Sequence, residues 1–125
     1  MQALFLPYYQ RVLLWNMVGM FQAPNLKETA VYLRLIEKIR LTDDEAVKSN
    51  FRSEGGQMLW RLPETGFGDK LIELENAEAD GLVTVIESAA PIRIADAEWL
   101  TGVVEDLKSK ESVPLTKLAE NSAIA

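Results

Sequence analysis

The sequence predicts one α+β domain, mostly helical, in which four to five helices pack with a small antiparallel β-hairpin. Three observations carry that expectation. Apolar residues recur at helical spacing around residues 7–22, 26–39, 76–89 and 96–107. Between residues 57 and 74 the pattern shortens into two brief apolar runs separated by a glycine-bearing loop. The chain has 125 residues, 48% hydrophobic and 26% charged, which is enough to bury one core and too little for two ordinary domains. The globular domain is expected over residues 1–110. Residues 111–125, with weaker patterning and Pro114, fit either a flexible tail or a small docked helix.

The first helix is expected at about residues 7–22, because proline is tolerated in a first turn. Tyr8, Val12, Trp15 and Val18 share a face, with Leu13, Met17 and Met20 beside them, so apolar residues run most of the way round. Such a helix wants cover on two sides. Asn25 followed by Glu28 marks the next helix start, and Val31, Tyr32, Leu35, Ile36 and Ile39 form its buried stripe. The short connection makes these two helices antiparallel neighbours. Thr42-Asp43-Asp44-Glu45 has the capping-box spacing with acids in the first turn. A short helix should follow to about Arg52, burying Val47 and Phe51 and ending at Gly55-Gly56.

Residues 57–62 and 70–74 read as the two strands of the hairpin, joined by residues 63–68 and anchored in the core by Trp60. Helical spacing returns at 76–89 with Ala79, Leu82, Val83 and Ile86, and Pro91 stops it. Residues 92–94 suit a third short strand. Asp96 then caps a last helix whose stripe is Trp99, Leu100, Val103, Val104 and Leu107.

Two absences remove whole classes of chemistry. Without Cys or His there is no disulfide, thiolate zinc site, iron–sulfur cluster, imidazole ligand or Ser-His-Asp triad. Carboxylate, lysine and hydroxyl chemistry remain, and no motif arranges them as a catalytic site. The expectation is a non-catalytic protein without a cofactor. Net charge is −6, with 8 Lys/Arg against 6 Asp/Glu up to Arg61 and 5 against 13 beyond it. That balance opposes phosphate-backbone contact, so no direct nucleic-acid binding is expected. The apolar N-terminal stretch is broken by Gln10, Arg11, Asn16 and Gly19, which argues against a membrane span. It also lacks the charge and cleavage pattern of a secretory signal. A cytoplasmic location is expected.

Three residue sets are candidate sites. Tyr8, Tyr9, Trp15, Met17, Met20 and Phe21 on the first helix form a candidate interface, with a second copy in a homodimer as the expected partner. Asn76, Glu78, Asp80 and Glu87, with Gly81 between them, fall in the register of an EF-hand calcium loop. A capped helix with acids in its first turn accounts for the same residues. Lys27, Arg34 and Lys38 share a helical face and form a candidate anion site, without any phosphate-binding glycine loop behind them. The preferred function is a small acidic interaction or assembly protein. A small-ligand or calcium-binding module and an acidic mimic of nucleic acid are the alternatives.

Overall fold

The computed structural model describes residues 2–89 and 92–112, the last four by backbone alone. Its elements run β1 (Gln2–Leu6), α1 (Tyr8–Met20), α2 (Leu26–Ile39), α3 (Asp43–Lys48), β2 (Arg52–Glu54), β3 (Gln57–Leu59), β4 (Lys70–Leu74), α4 (Asn76–Ser88) and α5 (Ile94–Ser112). Five helices and two small antiparallel sheets make a mostly helical α+β fold, as the spacing predicts.

The strand pairing differs from the expected hairpin. β4 pairs with β1, placing Leu4 opposite Ile72 and Phe5 opposite Leu71. β3 pairs with β2 across Gly55-Gly56. These glycines have φ of 56° and 79°, the pair of positive values that a two-residue type I′ turn needs. They turn the chain back on itself instead of ending a helix. β1 alternates over only five residues, with Gln2, Leu4 and Leu6 buried. It runs directly into an apolar helix, so its period-2 pattern merges with the helical one. Pro7 separates the two elements in an extended conformation at the N-cap of α1.

Capping explains the helix ends. Asn25 Oδ1 accepts from Glu28 N at 2.8 Å, and Thr42 and Glu45 complete a reciprocal box at the start of α3. α3 stops sooner than expected because Asn50 adopts φ 52°. Its N–H donates to the Val47 carbonyl and that of Phe51 to the Ala46 carbonyl, a Schellman ending. The reversal leaves Val47 79% exposed, correcting its expected burial, and half-buries Phe51. α5 begins at Ile94, so residues 92–94 form no strand, and Asp96 lies in the first helical turn rather than at the cap. Helix α5 continues through Ser112, past the expected domain edge. The expectations for Pro91 and for 113–125 lie outside the described residues.

Two apolar clusters meet α1 on neighbouring faces, with Trp15 packed against both. In the main core, Leu4, Leu6, Ile72 and Leu74 from the β1–β4 sheet meet Leu14, Leu35, Leu82, Leu100 and Leu107 from four helices. α4 packs against α1, α2, α5 and β4. A Cβ on its Gly81 would lie 3.1 Å from the Tyr32 ring, marking the close approach of α4 to α2. The second cluster joins Tyr8, Val12 and Leu41 to Trp15, Phe51, Met58, Trp60 and Phe67. Trp15 stacks on Phe51 at 5.8 Å, and Trp60 lies 5.4 Å from Tyr8. Trp60 is therefore half-buried beside α1, outside any strand.

Arg11 is fully buried between these clusters. Nε donates to the Ile39 carbonyl at 3.0 Å. Nη1 donates to Glu45 Oε2 at 2.8 Å and the Gly68 carbonyl at 2.5 Å. Nη2 donates to the Arg40 carbonyl at 2.6 Å and Glu45 Oε1 at 3.0 Å. All five guanidinium N–H groups are thereby used.

Arg11→Ala leaves the partly buried Glu45 and the Ile39, Arg40 and Gly68 carbonyls without their donor, and should cost about 3–5 kcal/mol in urea unfolding. An unchanged midpoint would contradict this account of Arg11. Gly68 has φ +78°, and a Cβ there would stand 2.6 Å from Tyr8 Cδ2. Gly68→Ala should therefore lose roughly 1–3 kcal/mol by the same measurement.

Candidate functional site

The calcium register is corrected by the helix that contains it. Asn76, Glu78, Asp80 and Glu87 all lie within α4. At about 1.5 Å per residue, Asn76 and Glu87 are separated by roughly 16 Å along the axis and cannot close on one ion. Glu75 and Glu78 form a reciprocal capping box, so the spacing that resembled loop ligands is a helix start. Glu78 is buried, and its Oε1 accepts from Lys38 Nζ at 2.5 Å and Glu75 N at 2.9 Å. Glu87 Oε2 accepts from Lys108 Nζ at 2.9 Å. Among the described residues, no group of three or more acidic side chains is placed to hold a metal ion.

The basic face is largely spent on that same carboxylate. Arg34 Nε lies 3.4 Å from Glu78 Oε2, and Lys38 also donates to the Glu73 carbonyl at 2.9 Å. The anion that Arg34 and Lys38 meet thus belongs to the chain itself, while Lys27 stands apart and exposed. Burial pushes the Glu78 carboxyl up. The Lys38 and Glu75 hydrogen bonds, with the charges of Lys38 and Arg34, outweigh this and hold it below the ordinary range. Glu45 follows the same balance: burial raises it, and Arg11 and Thr42 bring it lower.

The candidate interface residues divide into three groups. Tyr8 is buried, with its hydroxyl hydrogen-bonded to Ser49 Oγ at 2.7 Å, and presents no surface. Trp15, Met17 and Phe21 are half-buried against the cores, and Phe21 packs on Tyr32 at 4.9 Å. Tyr9 and Met20 are exposed, at 36% and 75%. The chain covers both main sides of α1 itself and leaves an outer ridge carrying Tyr9, Asn16 and Met20.

A groove flanks each side of this ridge. The first, about 640 Å³, lies between α1 and the β2–β3 hairpin and is lined by Val12, Trp15, Gly19, Phe51 and Met58. The second, about 500 Å³, lies between α1, the end of α4 and the start of α5. Leu13, Met17, Phe21, Val85, Ile92 and Leu100 form its apolar wall, and Arg93 and Asp96 form its charged edge. Asn16 and Met20 border both grooves.

The charged edge is a ring of hydrogen bonds among Tyr9, Asp96 and Arg93, joined by Trp99. Tyr9 Oη donates to Asp96 Oδ1 at 2.7 Å, and Trp99 Nε1 donates to the same oxygen at 3.1 Å. Arg93 donates from Nε to Asp96 Oδ2 at 3.0 Å and from Nη2 to Tyr9 Oη at 2.6 Å. Tyr9's hydrogen bond is the largest influence on Asp96. With those of Trp99 and Arg93 and the Arg93 charge, it outweighs burial and holds the carboxyl below its ordinary range. Burial first, then Asp96, raises the Tyr9 phenol. Sequence reasoning missed this set because it placed Arg93 in a strand. The signal was the three-residue spacing Arg93–Asp96–Trp99, which stacks one side chain per helical turn.

Comparisons with protein-family models, curated proteins and solved structures found no significant match to this chain.

Because Glu45 and Glu78 are held low in the fold, the unfolded chain takes up their protons first as pH falls. Their stabilisation is present above about pH 4.5 and is lost on acidification through the folded values. Thermal melts from about pH 6 to about pH 3 should show a falling midpoint, with a shallower fall in Glu78→Gln. Identical profiles for the two proteins would reject the role given to Glu78.

Proposed function

We propose that the protein is a small, non-catalytic interaction protein that assembles with a second copy of itself through the outer ridge of α1. The observation that carries this reading is a prominent side chain beside a recess: Met20, 75% exposed, borders the groove lined by Gly19, Trp15 and Met58. Around a twofold axis, each copy lays its Met20 into the other's groove, and one patch serves both sides. Methionine suits such a contact because its unbranched thioether fills irregular apolar space. Gly19 supports the same reading. Glycine weakens a helix, yet a Cβ at this position would meet nothing within 4 Å in the chain. Its open space gives a second helix room to approach.

The carboxylates with displaced pKa values favour a structural role. Glu45, Glu78 and Asp96 are each engaged by several donors of the chain, which suits fixed ion pairs better than proton transfer. Among the described residues no helix is long and apolar enough to cross a membrane. A cytoplasmic setting, with a protein partner and no direct nucleic-acid contact, belongs to this proposal and agrees with the acidic charge balance.

Light scattering over a wide concentration range tests it. The expected mass approaches twice the 14.0 kDa chain at high concentration, and Gly19→Trp and Met20→Asp should each return the single-chain mass. Wild-type protein at single-chain mass throughout would overturn the proposal. Gly19→Ala should raise the stability of the isolated chain by about 0.5–1 kcal/mol in urea, since the helix gains propensity without a clash.

A further inference from the structure

The groove on the other flank of α1 ends in a cation that the self-association reading leaves unused. From this arrangement we infer a binding site for an alkyl carboxylate, its tail along α1 and its head on Arg93. Donor accounting identifies the head. Arg93 has five N–H groups; Nε serves Asp96 and one Nη2 hydrogen serves Tyr9 Oη. The Nη1 pair and the second Nη2 hydrogen have no acceptor among the described residues. Asp96 is only 5% exposed and already accepts from Tyr9, Trp99 and Arg93, so it has little capacity for a ligand donor. The open valence at this edge is therefore donating: the Arg93 side chain is 75% exposed, and its remaining N–H groups meet water until an acceptor replaces it. A carboxylate matches the planar fork of a guanidinium with two parallel hydrogen bonds.

Asp96 and Tyr9 hold that fork in place before a ligand arrives, which reduces the ordering cost of binding. The adjacent N-terminal end of α5 adds partial positive charge.

The walls identify the tail. Leu13, Met17, Met20, Phe21, Val85 and Leu100 give the groove a mainly apolar wall, with Asn16, Gln22 and Ser88 as the uncharged polar residues on its lining. From Leu13 to Met20 the groove follows α1 for about 10 Å at roughly 1.5 Å per residue. Its volume of about 500 Å³ lies within the range of small-molecule sites. An unbranched chain fits this shape, and two methionines at the wall accommodate it without a fixed side-chain pattern.

Titration calorimetry on the full chain tests the site, using decanoate, hexanoate and decanol below micelle-forming concentrations. Decanoate should bind saturably, one per chain, and hexanoate more weakly by roughly fourfold for each methylene removed. Arg93→Gln should weaken decanoate about tenfold or more and leave decanol unchanged. Its melting profile and circular dichroism would show whether the fold is kept, and Arg93→Lys should recover part of the affinity. Absence of saturable decanoate binding would overturn the site. Equal losses for decanoate and decanol in Arg93→Gln would overturn the assignment of the head to Arg93. Repeating the titration in Gly19→Trp separates this inference from self-association, because binding there should be retained whatever the mass of the wild-type protein.

Discussion

A guanidinium that cannot be left alone organises this molecule. Arg11 is withdrawn from water in the middle of an apolar helix, a placement that is tolerable only with complete hydrogen bonding. Its partners come from two stretches distant in sequence, the end of α2 with the start of α3 and the loop ahead of β4. The Ile39 and Arg40 carbonyls at the end of α2 would otherwise lack helical partners. Glu45 is shared with the Thr42 cap, so one carboxylate starts α3 and neutralises Arg11. The Gly68 carbonyl brings in the loop ahead of β4, and Asp69 completes the attachment by accepting from Tyr8 N at the start of α1. α1 thereby fixes the path of two connections, the one between α2 and α3 and the loop ahead of β4.

Around that point the two apolar clusters divide the work. The larger one packs the β1–β4 sheet against α1, α2, α4 and α5, and the smaller one is rich in aromatic rings and short of regular structure. Rings suit that second place because a few of them cover much apolar surface where no long helix is present. The all-round apolar character of α1 follows from lying between the clusters. Its outer ridge is what neither cluster reaches, and the grooves lie where each cluster ends.

Local chemistry was legible in the sequence, and distant pairing was not. Thr42 with Glu45 and Asn25 with Glu28 announce their helices because a cap is decided within four residues. The stripe Leu100, Val103 and Leu107 is equally local. The β1–β4 ladder joins residues 64 to 72 positions apart, and five alternating residues beside an apolar helix carry no mark of their partner. Arg11 read as an interruption because a buried charge is recognisable only once Glu45 is placed opposite it. Glu78 misled for a related reason: a reciprocal helix cap and a calcium loop both space acids a few residues apart. At the candidate site, Met20 and Tyr9 were visible as apolar surface on one helix. The contact of Arg93 and Asp96 with Tyr9 became visible only when the start of α5 was brought against α1.

The long reach of that ladder also sets an order of events. During synthesis α1, α2 and α3 emerge before β4 exists, and β1 waits without the strand it pairs with. The same Gly68 carbonyl that completes Arg11 lies just ahead of β4, so the buried charge and the sheet gain their last partners almost together. α4 follows at once and supplies the surface on which the other helices settle. Closure of such a domain is late and cooperative, since its costliest group and its most distant contact wait for the same short stretch of chain.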